Sequence, residues 1–313
     1  MNNNRLQHKI SKYSYKYITN TNQNKKSLYA EKLNGYMKGG YDYTNAQDVL
    51  RYLDCRINGI NCSGNEKGIK LESNVQPYLL VVYGPPASGK SFAKDLMIKE
   101  FGLSNNYVYI DVDQMVYDTD QFQHFKNTVD ISDLANVNSD DLDTHPKIQT
   151  MIEAYRKIRS RTNFLLRIFL GIALMFNYNI VLETPGGGSD WFNIAEELLN
   201  NKYDIYLVYP YTNNIEMLVQ RSIKRGLTEH RFIQKKYLYD MAKRSQKNFL
   251  RVLDPSNITK FRAIYVYETK PDQFDLTENN LLFAYVNPKE NQNQNYLSDD
   301  KYLHLVDMLK SIN

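Results

Sequence analysis

Residues 84–91 complete the phosphate-binding pattern Gly-x-x-x-x-Gly-Lys-Ser directly behind an apolar run at 78–83. In a loop of small residues, successive backbone N–H groups can point at phosphate oxygens, and a helix that opens at Lys90 adds the positive end of its dipole. The Lys90 amine would then reach the β- and γ-phosphates of ATP, and the Ser91 hydroxyl is the expected Mg²⁺ ligand. The residues expected to bind the nucleotide are Gly84, Pro85, Pro86, Ala87, Ser88, Gly89, Lys90, Ser91 and Phe92.

Two carboxylates, Asp111 and Asp113, close a second apolar run at 107–112. Side-chain alternation along a strand would turn one of them toward the sheet and leave the other near the γ-phosphate. Phosphoryl transfer needs a carboxylate there to orient the acceptor hydroxyl and take its proton. The alternative is ordinary strand-end capping, because Asp commonly ends strands and starts turns.

Glu183 and Thr184 follow a third run and lead into Pro185 and the glycine run at 186–188. A carboxylate at this place can hold Mg²⁺ through water or bind a substrate hydroxyl. A plain connection between strand and helix is an equal alternative, since glycine clusters make turns without chemistry.

Arginines at 221, 225 and 231 come next, on and after a predicted helix. Such residues can neutralise charge on a transferring phosphoryl group, although a solvated helix face explains any one of them. His230 has no partner at metal-ligand spacing, so no transition-metal site is expected.

From residue 77 onward, apolar runs alternate with helix-like stretches, which predicts an α/β fold with a parallel sheet flanked by helices, of the P-loop kinase kind. The carboxyl ends of such strands meet at one edge, so the loop at Gly84, Asp111/Asp113, Glu183/Thr184 and Tyr209 should converge. Predicted strands are 78–83, 107–112, 179–183, 205–209 and 261–266. Predicted helices are 90–101, 147–176, 190–201, 214–225 and 232–253. The polar insertion 117–146 is expected to be a solvated loop, or else a lid over the substrate.

Three regions are expected: an Asn-, Lys- and Tyr-rich appendage at 1–75, the kinase-like domain at 76–270, and a C-terminal extension at 271–313 that packs on it. The appendage should be helical or partly disordered, with short helices within 12–38 and 45–57. Its Tyr/Lys composition resembles that of N-terminal segments in proteins of large AT-rich DNA viruses.

Net charge and the number of cysteines limit where the protein is expected to act and what it is expected to bind. The 39 basic residues are spread among 35 acidic ones, for a net charge of +4, so composition shows no broad footprint for duplex nucleic acid. Cys55 and Cys62 are expected to be reduced, although a lone disulfide is the alternative. The run 164–176, interrupted by Arg167, is too short to span a bilayer. A soluble protein of the cytoplasm is expected, which for a viral protein means the host cytoplasm or the virion.

The order of these motifs resembles the zeta-toxin family of P-loop kinases over about residues 77–255. The motifs that carry the resemblance are Val-Val-Tyr-Gly-Pro-Pro-Ala-Ser-Gly-Lys-Ser, Tyr-Ile-Asp-Val-Asp, Ile-Val-Leu-Glu-Thr, Tyr-Asp-Ile-Tyr-Leu-Val-Tyr and Ala-Lys-Arg-Ser-Gln-Lys-Asn-Phe. The resemblance implies catalytic roles for Lys90, Asp113, Arg221 and Arg231, with Arg225 as a rival for the first arginine.

The resemblance also implies what the protein acts on and what regulates it. The acceptor would be a small hydroxyl compound, for which the family suggests a nucleotide sugar such as UDP-N-acetylglucosamine, contacted by Asp111, Glu183 and Thr184. An antitoxin-like partner would cover the ATP site, or residues 1–75 could do so in cis. The sequence departs from the family at Val116, where the family often has Arg or Lys, and at Glu183-Thr184-Pro185, where the family often has Glu-Gly-Thr.

Two other functions share these motifs. A polynucleotide 5′-kinase would use the same loop, aspartate and arginines, although the dispersed charge argues mildly against it. A nucleotide-regulated binding module would use the loop to control a partner surface on residues 1–75 without phosphorylating an acceptor.

Overall fold

The computed structural model describes residues 22–37, 72–188, 190–270, 280–287 and 299–310, together with Lys9, Lys12, Tyr13 and Lys16. The predicted helix at 45–57 and both cysteines, Cys55 and Cys62, lie outside the described residues.

Strands and helices alternate through the described chain. The strands are β1 (Tyr78–Tyr83), β2 (Tyr107–Ile110), β3 (Asn179–Thr184), β4 (Asp204–Tyr211), β5 (Ala263–Glu268) and β6 (Leu281–Val286). The helices are α1 (Gln23–Met37), α2 (Lys90–Glu100), α3 (Val112–Tyr117), α4 (Asp120–Thr128), α5 (Asp141–Thr144), α6 (Pro146–Phe176), α7 (Asp190–Asn200), α8 (Ile215–Glu229), α9 (Lys235–Val252), α10 (Pro255–Ile258) and α11 (Asp299–Lys310), with a 3₁₀ turn at Ser132–Leu134.

The six strands form one sheet in the order β2-β3-β1-β4-β5-β6. The β1–β4 and β4–β5 pairs are parallel, and β6 adds an antiparallel edge to β5. Every residue of β1 is buried, as expected for a strand that is covered by helices on both faces. The predicted α/β fold with a mostly parallel sheet flanked by helices is confirmed.

The chain divides into two compact units. The first contains Met1–Pro77, Ser104–Asp118 and Lys157–Val181, and the second contains Tyr78–Leu103, Thr119–Arg156 and Leu182–Asn313. The predicted regions 1–75, 76–270 and 271–313 are continuous in the chain, whereas each of these units combines several segments. The predicted division stays a prediction.

The insertion at 117–146 is not the solvated loop that its polarity predicted. It contains α4, the 3₁₀ turn and α5, and its Leu134 and Leu142 are fully buried. Both leucines pack in one hydrophobic cluster with Ile148 of α6, Ile223 of α8 and Leu238 of α9. A few apolar residues spaced among many aspartates were enough to fold the segment onto the second unit, because burial of each leucine outweighs the polarity of its neighbours.

The longest helix, α6, has 31 residues and covers the apolar run at 164–176. No helix within the described ranges is long and apolar enough to cross a membrane.

Replacing Leu142 by Ala should lower the free energy of unfolding by ~2–5 kcal/mol, because it leaves a cavity in a closed apolar cluster. The matched control is Leu199→Ala on α7, where the side chain is 37% exposed and a loss below ~1 kcal/mol is expected. Chemical denaturation of both variants measures the difference. Equal small losses would mean that Leu142 does not contribute to the core and that 117–146 behaves as a surface loop.

Candidate active site

The loop between β1 and α2 turns through left-handed backbone conformations. The φ angles of Gly84, Ala87 and Gly89 are 143°, 64° and 93°. A positive φ is uncommon outside glycine, so Ala87 marks a turn that the surrounding contacts impose. Pro85 and Pro86 have no N–H, so the loop amides that can face an anion begin at Ala87. Such alternation of backbone conformation makes a concave nest of N–H groups.

Contacts on both sides fix the start of this loop. The Gly84 N–H donates to the Thr184 carbonyl at 3.1 Å, which ties the loop to the end of β3. A Cβ on Gly84 would lie 3.0 Å from Ser88 Oγ and 3.4 Å from the Tyr209 ring, so a side chain there would be crowded as well as strained. The Ser88 N–H closes the turn on the Pro85 carbonyl at 3.4 Å.

The polar atoms of the loop fit a phosphate group. Ser88 is fully buried, and its Oγ has no hydrogen-bond partner among the described residues. A buried hydroxyl without a partner is costly, and a phosphate oxygen would satisfy it. Lys90 Nζ donates to the Pro85 carbonyl at 3.1 Å and therefore lies folded back along the loop.

Ser91 and Phe92 are exposed in the first turn of α2, where backbone N–H groups have no acceptor within the helix. The Ser91 hydroxyl is the hard oxygen donor that a hydrated Mg²⁺ would need beside bound phosphates. Phe92 is 48% exposed in the same turn, and its predicted nucleotide contact stays a prediction.

Arg221 on α8 contacts the phosphate loop directly. Its Nη1 donates to the Ala87 carbonyl at 3.4 Å and its Nη2 donates to the Lys270 carbonyl, just after β5, at 3.0 Å. Burial lowers the pKa of this guanidinium from its usual value, but an arginine remains charged at neutral pH. Its rival, Arg225, forms an ion pair with Glu229 one turn along the same helix. Of the two candidates for the first arginine, Arg221 thus contacts the phosphate loop and Arg225 contacts Glu229, and the choice between them stays a prediction.

Arg231 is buried, with 5% of its surface exposed, in the turn that follows α8. Its guanidinium carbon lies 5.0 Å from the centroid of the Tyr155 ring on α6. A buried arginine held against an aromatic face is a fixed cation rather than a mobile one.

The predicted strand at 107–112 ends two residues early, so the side-chain alternation expected for Asp111 and Asp113 does not apply. β2 stops at Ile110, and the Asp111 side chain accepts a hydrogen bond from the Asp113 N–H at 2.9 Å as the N-cap of α3. Asp113 therefore lies in the first turn of a helix, and the capping alternative describes Asp111.

Sequence reasoning missed a partner of Asp113. Arg159 of α6 donates from Nε to Asp113 Oδ1 at 3.3 Å, with both side chains partly exposed in the first unit. The two residues are 46 positions apart, and the pattern of charges along α6 does not reveal which of its arginines faces α3.

The glycine run after β3 is a tightly turned segment that packs against α9. Gly186 has φ 73°, and a Cβ there would lie 2.4 Å from the Tyr83 ring. A Cβ on Gly187 would meet Met241 Sδ at 2.6 Å, whereas Gly188 faces open space within 4 Å. Asn248 Nδ2 also donates to the Gly186 carbonyl at 2.9 Å. Gly186 is therefore required by close approach and by its backbone conformation, a side chain at Gly187 would need the end of Met241 to move, and Gly188 is unconstrained by contacts.

The remaining candidates, which were expected at strand ends, lie in different surroundings. Glu183 and Thr184 are partly buried at the end of β3, and Thr184 Oγ1 accepts from the Gly186 N–H at 3.2 Å. Tyr209, in contrast, is not at a strand end, because β4 continues to Tyr211. Its ring lies 5.0 Å from that of Tyr83 and 4.7 Å from that of Phe249. Tyr209 thus belongs to the core beneath Gly84, and its expected place at the site is wrong.

Among the described residues, no group of three or more His, Cys, Asp or Glu side chains could hold a metal ion by itself. A divalent ion at this loop would therefore need oxygen atoms from the nucleotide in addition to Ser91.

Comparisons with known proteins give one family. The sequence model of that family, described as "Zeta toxin", matches residues 65–283, which is well over half of the chain. An uncharacterized protein of Acanthamoeba polyphaga mimivirus, L872, is 25% identical over 294 residues, an alignment that covers 84% of this chain and 81% of the relative.

A solved structure is also similar. It comes from the PezAT chromosomal toxin–antitoxin system of the human pathogen Streptococcus pneumoniae and superposes with a TM-score of 0.49 at 14% identity. The superposition covers 87% of this chain and 98% of the other.

Replacing Gly186 by Ala should destabilise the protein by ~1–3 kcal/mol, because the new methyl group overlaps the Tyr83 ring at a left-handed backbone position. Gly188→Ala is the matched control, with an expected change within ~0.5 kcal/mol. Thermal or chemical denaturation compares the two, and equal effects would show that the run is not held against Tyr83.

Proposed function

Since the chain belongs to the zeta toxin family, we propose that it is an ATP-dependent, Mg²⁺-requiring phosphotransferase that moves the γ-phosphate of ATP to a hydroxyl group of a small acceptor. The observation that carries this proposal is the phosphate loop itself. Its buried Ser88 hydroxyl has no partner among the described residues, and Lys90 and Ser91 open a helix directly behind it.

Binding of ATP, the phosphate donor, depends on groups that neutralise the negative charge of its phosphates. The loop amides from Ala87 onward bind phosphate oxygens once the Ser88 N–H leaves the Pro85 carbonyl. Lys90 exchanges its own bond to that carbonyl for the β- and γ-phosphates. Ser91 would hold the Mg²⁺ ion, which supplies further neutralisation of the phosphate oxygens when bound. Arg221, which contacts the loop at Ala87, and the fixed cation of Arg231 stabilise the negative charge that develops on the transferring group.

Asp113 is the proposed general base. It orients the acceptor hydroxyl and takes its proton while the acceptor oxygen bonds to the γ-phosphorus, the bond to the β,γ-bridging oxygen breaks, and ADP leaves. Arg159 donates to one oxygen of this carboxylate, Oδ1, and thereby helps to orient it. In this role Arg159 is a positioning residue.

The acceptor class follows from the family resemblance alone, which suggests a nucleotide sugar such as UDP-N-acetylglucosamine. Asp111, Glu183 and Thr184 are its proposed contacts, although Asp111 already caps α3 through one carboxylate oxygen. A screen of metabolite pools with radiolabelled ATP, with Lys90→Ala as the blank, would name the acceptor. An antitoxin-like partner, or residues 1–75 acting in cis, stays a prediction of the same resemblance.

Replacing Asp113 by Asn should lower kcat for the identified acceptor by at least ~100-fold with little change in ATP affinity, because the amide cannot accept the proton. Lys90→Ala should lower both. Asp95→Asn, a carboxylate with 70% of its side chain exposed on α2, is the control. Acceptor-dependent transfer from radiolabelled ATP measures all three. If Asp113→Asn were fully active and Lys90→Ala inactive, the assignment of Asp113 as the base would be wrong, whereas the assignment of the ATP site would stand.

Replacing Arg159 by Gln should lower kcat about two- to fivefold, since a partly exposed ion pair contributes modestly to the position of its carboxylate. Arg159→Lys should restore part of the loss, and in an Asp113→Asn background the same change should have no further effect. An equal loss of activity in that background would mean that Arg159 acts elsewhere.

A further inference from the structure

A line of cations runs along the outer face of α9. At about 100° per residue, Lys236, Lys243, Arg244, Lys247 and Arg251 fall within an arc of about 100° on one side of the helix. All five are exposed, and Asp240 is the one acidic residue in the same arc. We call these five residues the basic stripe. They extend over about 22 Å of helix.

The opposite face of α9 holds the helix in place. Leu238, Ala242, Ser245, Phe249 and Val252 are buried there. Because the buried face fixes the rotation of the helix, the basic stripe is a permanent feature of the surface of the second unit.

Within the described residues, no carboxylate pairs with a side-chain cation of the stripe, although the backbone N–H of Lys236 donates to Asp143 Oδ2 at 3.2 Å. Several lysines elsewhere in the second unit form ion pairs, as in Lys147–Asp133, Lys235–Asp140 and Lys260–Glu196. Among the described residues, the side chains of Lys236, Lys243, Arg244 and Lys247 make no ion pair or hydrogen bond, and the guanidinium carbon of Arg251 lies 5.6 Å from the centroid of the Phe192 ring. Lys235, the residue beside the stripe, is paired with Asp140.

The stripe borders the candidate active site. A Cβ on Gly187 would lie 3.8 Å from Arg244 Cβ, and Asn248, one residue after Lys247, binds the Gly186 carbonyl. The glycine run in turn follows Thr184, whose carbonyl binds the first residue of the phosphate loop. A ligand that lies along the stripe would therefore reach the glycine run at Arg244.

We propose that the basic stripe binds a single-stranded polynucleotide along its sugar–phosphate backbone. A narrow line of five cations suits a linear polyanion whose phosphates recur every few ångströms, and a duplex would need a broader positive surface. Tyr237, 37% exposed, lies at the edge of the stripe, where its ring can stack on a base, as can the guanidinium groups of Arg244 and Arg251. One aromatic ring is too little apolar surface to enter a bilayer.

The inference goes beyond phosphotransfer and does not depend on it. Binding to the stripe requires neither ATP nor an acceptor hydroxyl, so a failure of the proposed kinase reaction would leave it intact. It also bears on the acceptor, since a bound strand that ends at the glycine run would present its terminal hydroxyl there.

The test is fluorescence anisotropy of a labelled 12-nucleotide single strand, as DNA and as RNA, titrated with the full chain at several KCl concentrations. Five phosphate contacts predict a slope of about −3.5 for log Kobs against log[KCl]. Lys243→Gln, Arg244→Gln and Lys247→Gln together should reduce the steepness by about 2 and weaken binding at least ~tenfold at 100 mM KCl. Tyr237→Ala should weaken binding about fivefold or more and leave the slope unchanged.

The matched control removes the same charge from other helices, by Lys99→Gln, Lys224→Gln and Lys301→Gln, all of them exposed. It should retain the slope and most of the affinity. Equal loss in the two triple variants would reduce the effect to net charge and overturn the proposal. Absence of binding at 50 mM KCl would also overturn it, as would stripe-dependent binding to phosphatidylserine vesicles without binding to the oligonucleotide.

Discussion

The hydroxyl of Tyr83 connects three segments on which the candidate site depends. It lies 3.1 Å from the Gly186 carbonyl and 2.5 Å from the Ser245 carbonyl, at the end of the strand that leads into the phosphate loop. A hydroxyl has one proton, and Asn248 already donates to Gly186, so the proton of Tyr83 goes to Ser245. Burial first, and then the neighbouring Tyr209, raise the pKa of Tyr83 well above its usual value, so the tyrosine remains a neutral donor.

Packing around this hydroxyl explains the local sequence. The Tyr83 ring meets Trp191 edge-on at 5.1 Å and Phe249 at 5.6 Å, which leaves room for no side chain at Gly186. The same ring fixes the distance between the end of β1 and α9. The phosphate loop, the glycine run and the basic stripe are consequently arranged around one buried aromatic cluster, and a change in any of its rings would alter all three together.

Most of the fold could be predicted because its strands are short apolar runs with clear ends. The bounds of β1 were predicted without error, and those of β3 to within one residue. The errors have physical causes: the Asp111 side chain takes the backbone N–H of Asp113 and starts a helix where alternation suggested a strand. In the insertion, Leu134 and Leu142 are too few and too far apart in the sequence to show a helical or strand period, yet both are buried in the core. Local patterns do not contain such long-range packing.

The candidate site likewise has parts that the sequence predicts and parts that it does not. The loop could be predicted because its chemistry is contiguous: glycines, lysine and serine act within eight positions. The pair of Arg159 with Asp113 could not, since it depends on which face of a long helix meets α3. The basic stripe is intermediate, because its residues have a helical spacing in the sequence, but the small net charge of +4 conceals it. The helical spacing of the five cations and the buried opposite face of α9 leave this positive charge on one side of the helix, and the neighbouring Lys235 is paired with Asp140. Net charge therefore says little about binding by this protein, whereas the placement of unpaired charge distinguishes one surface from the rest.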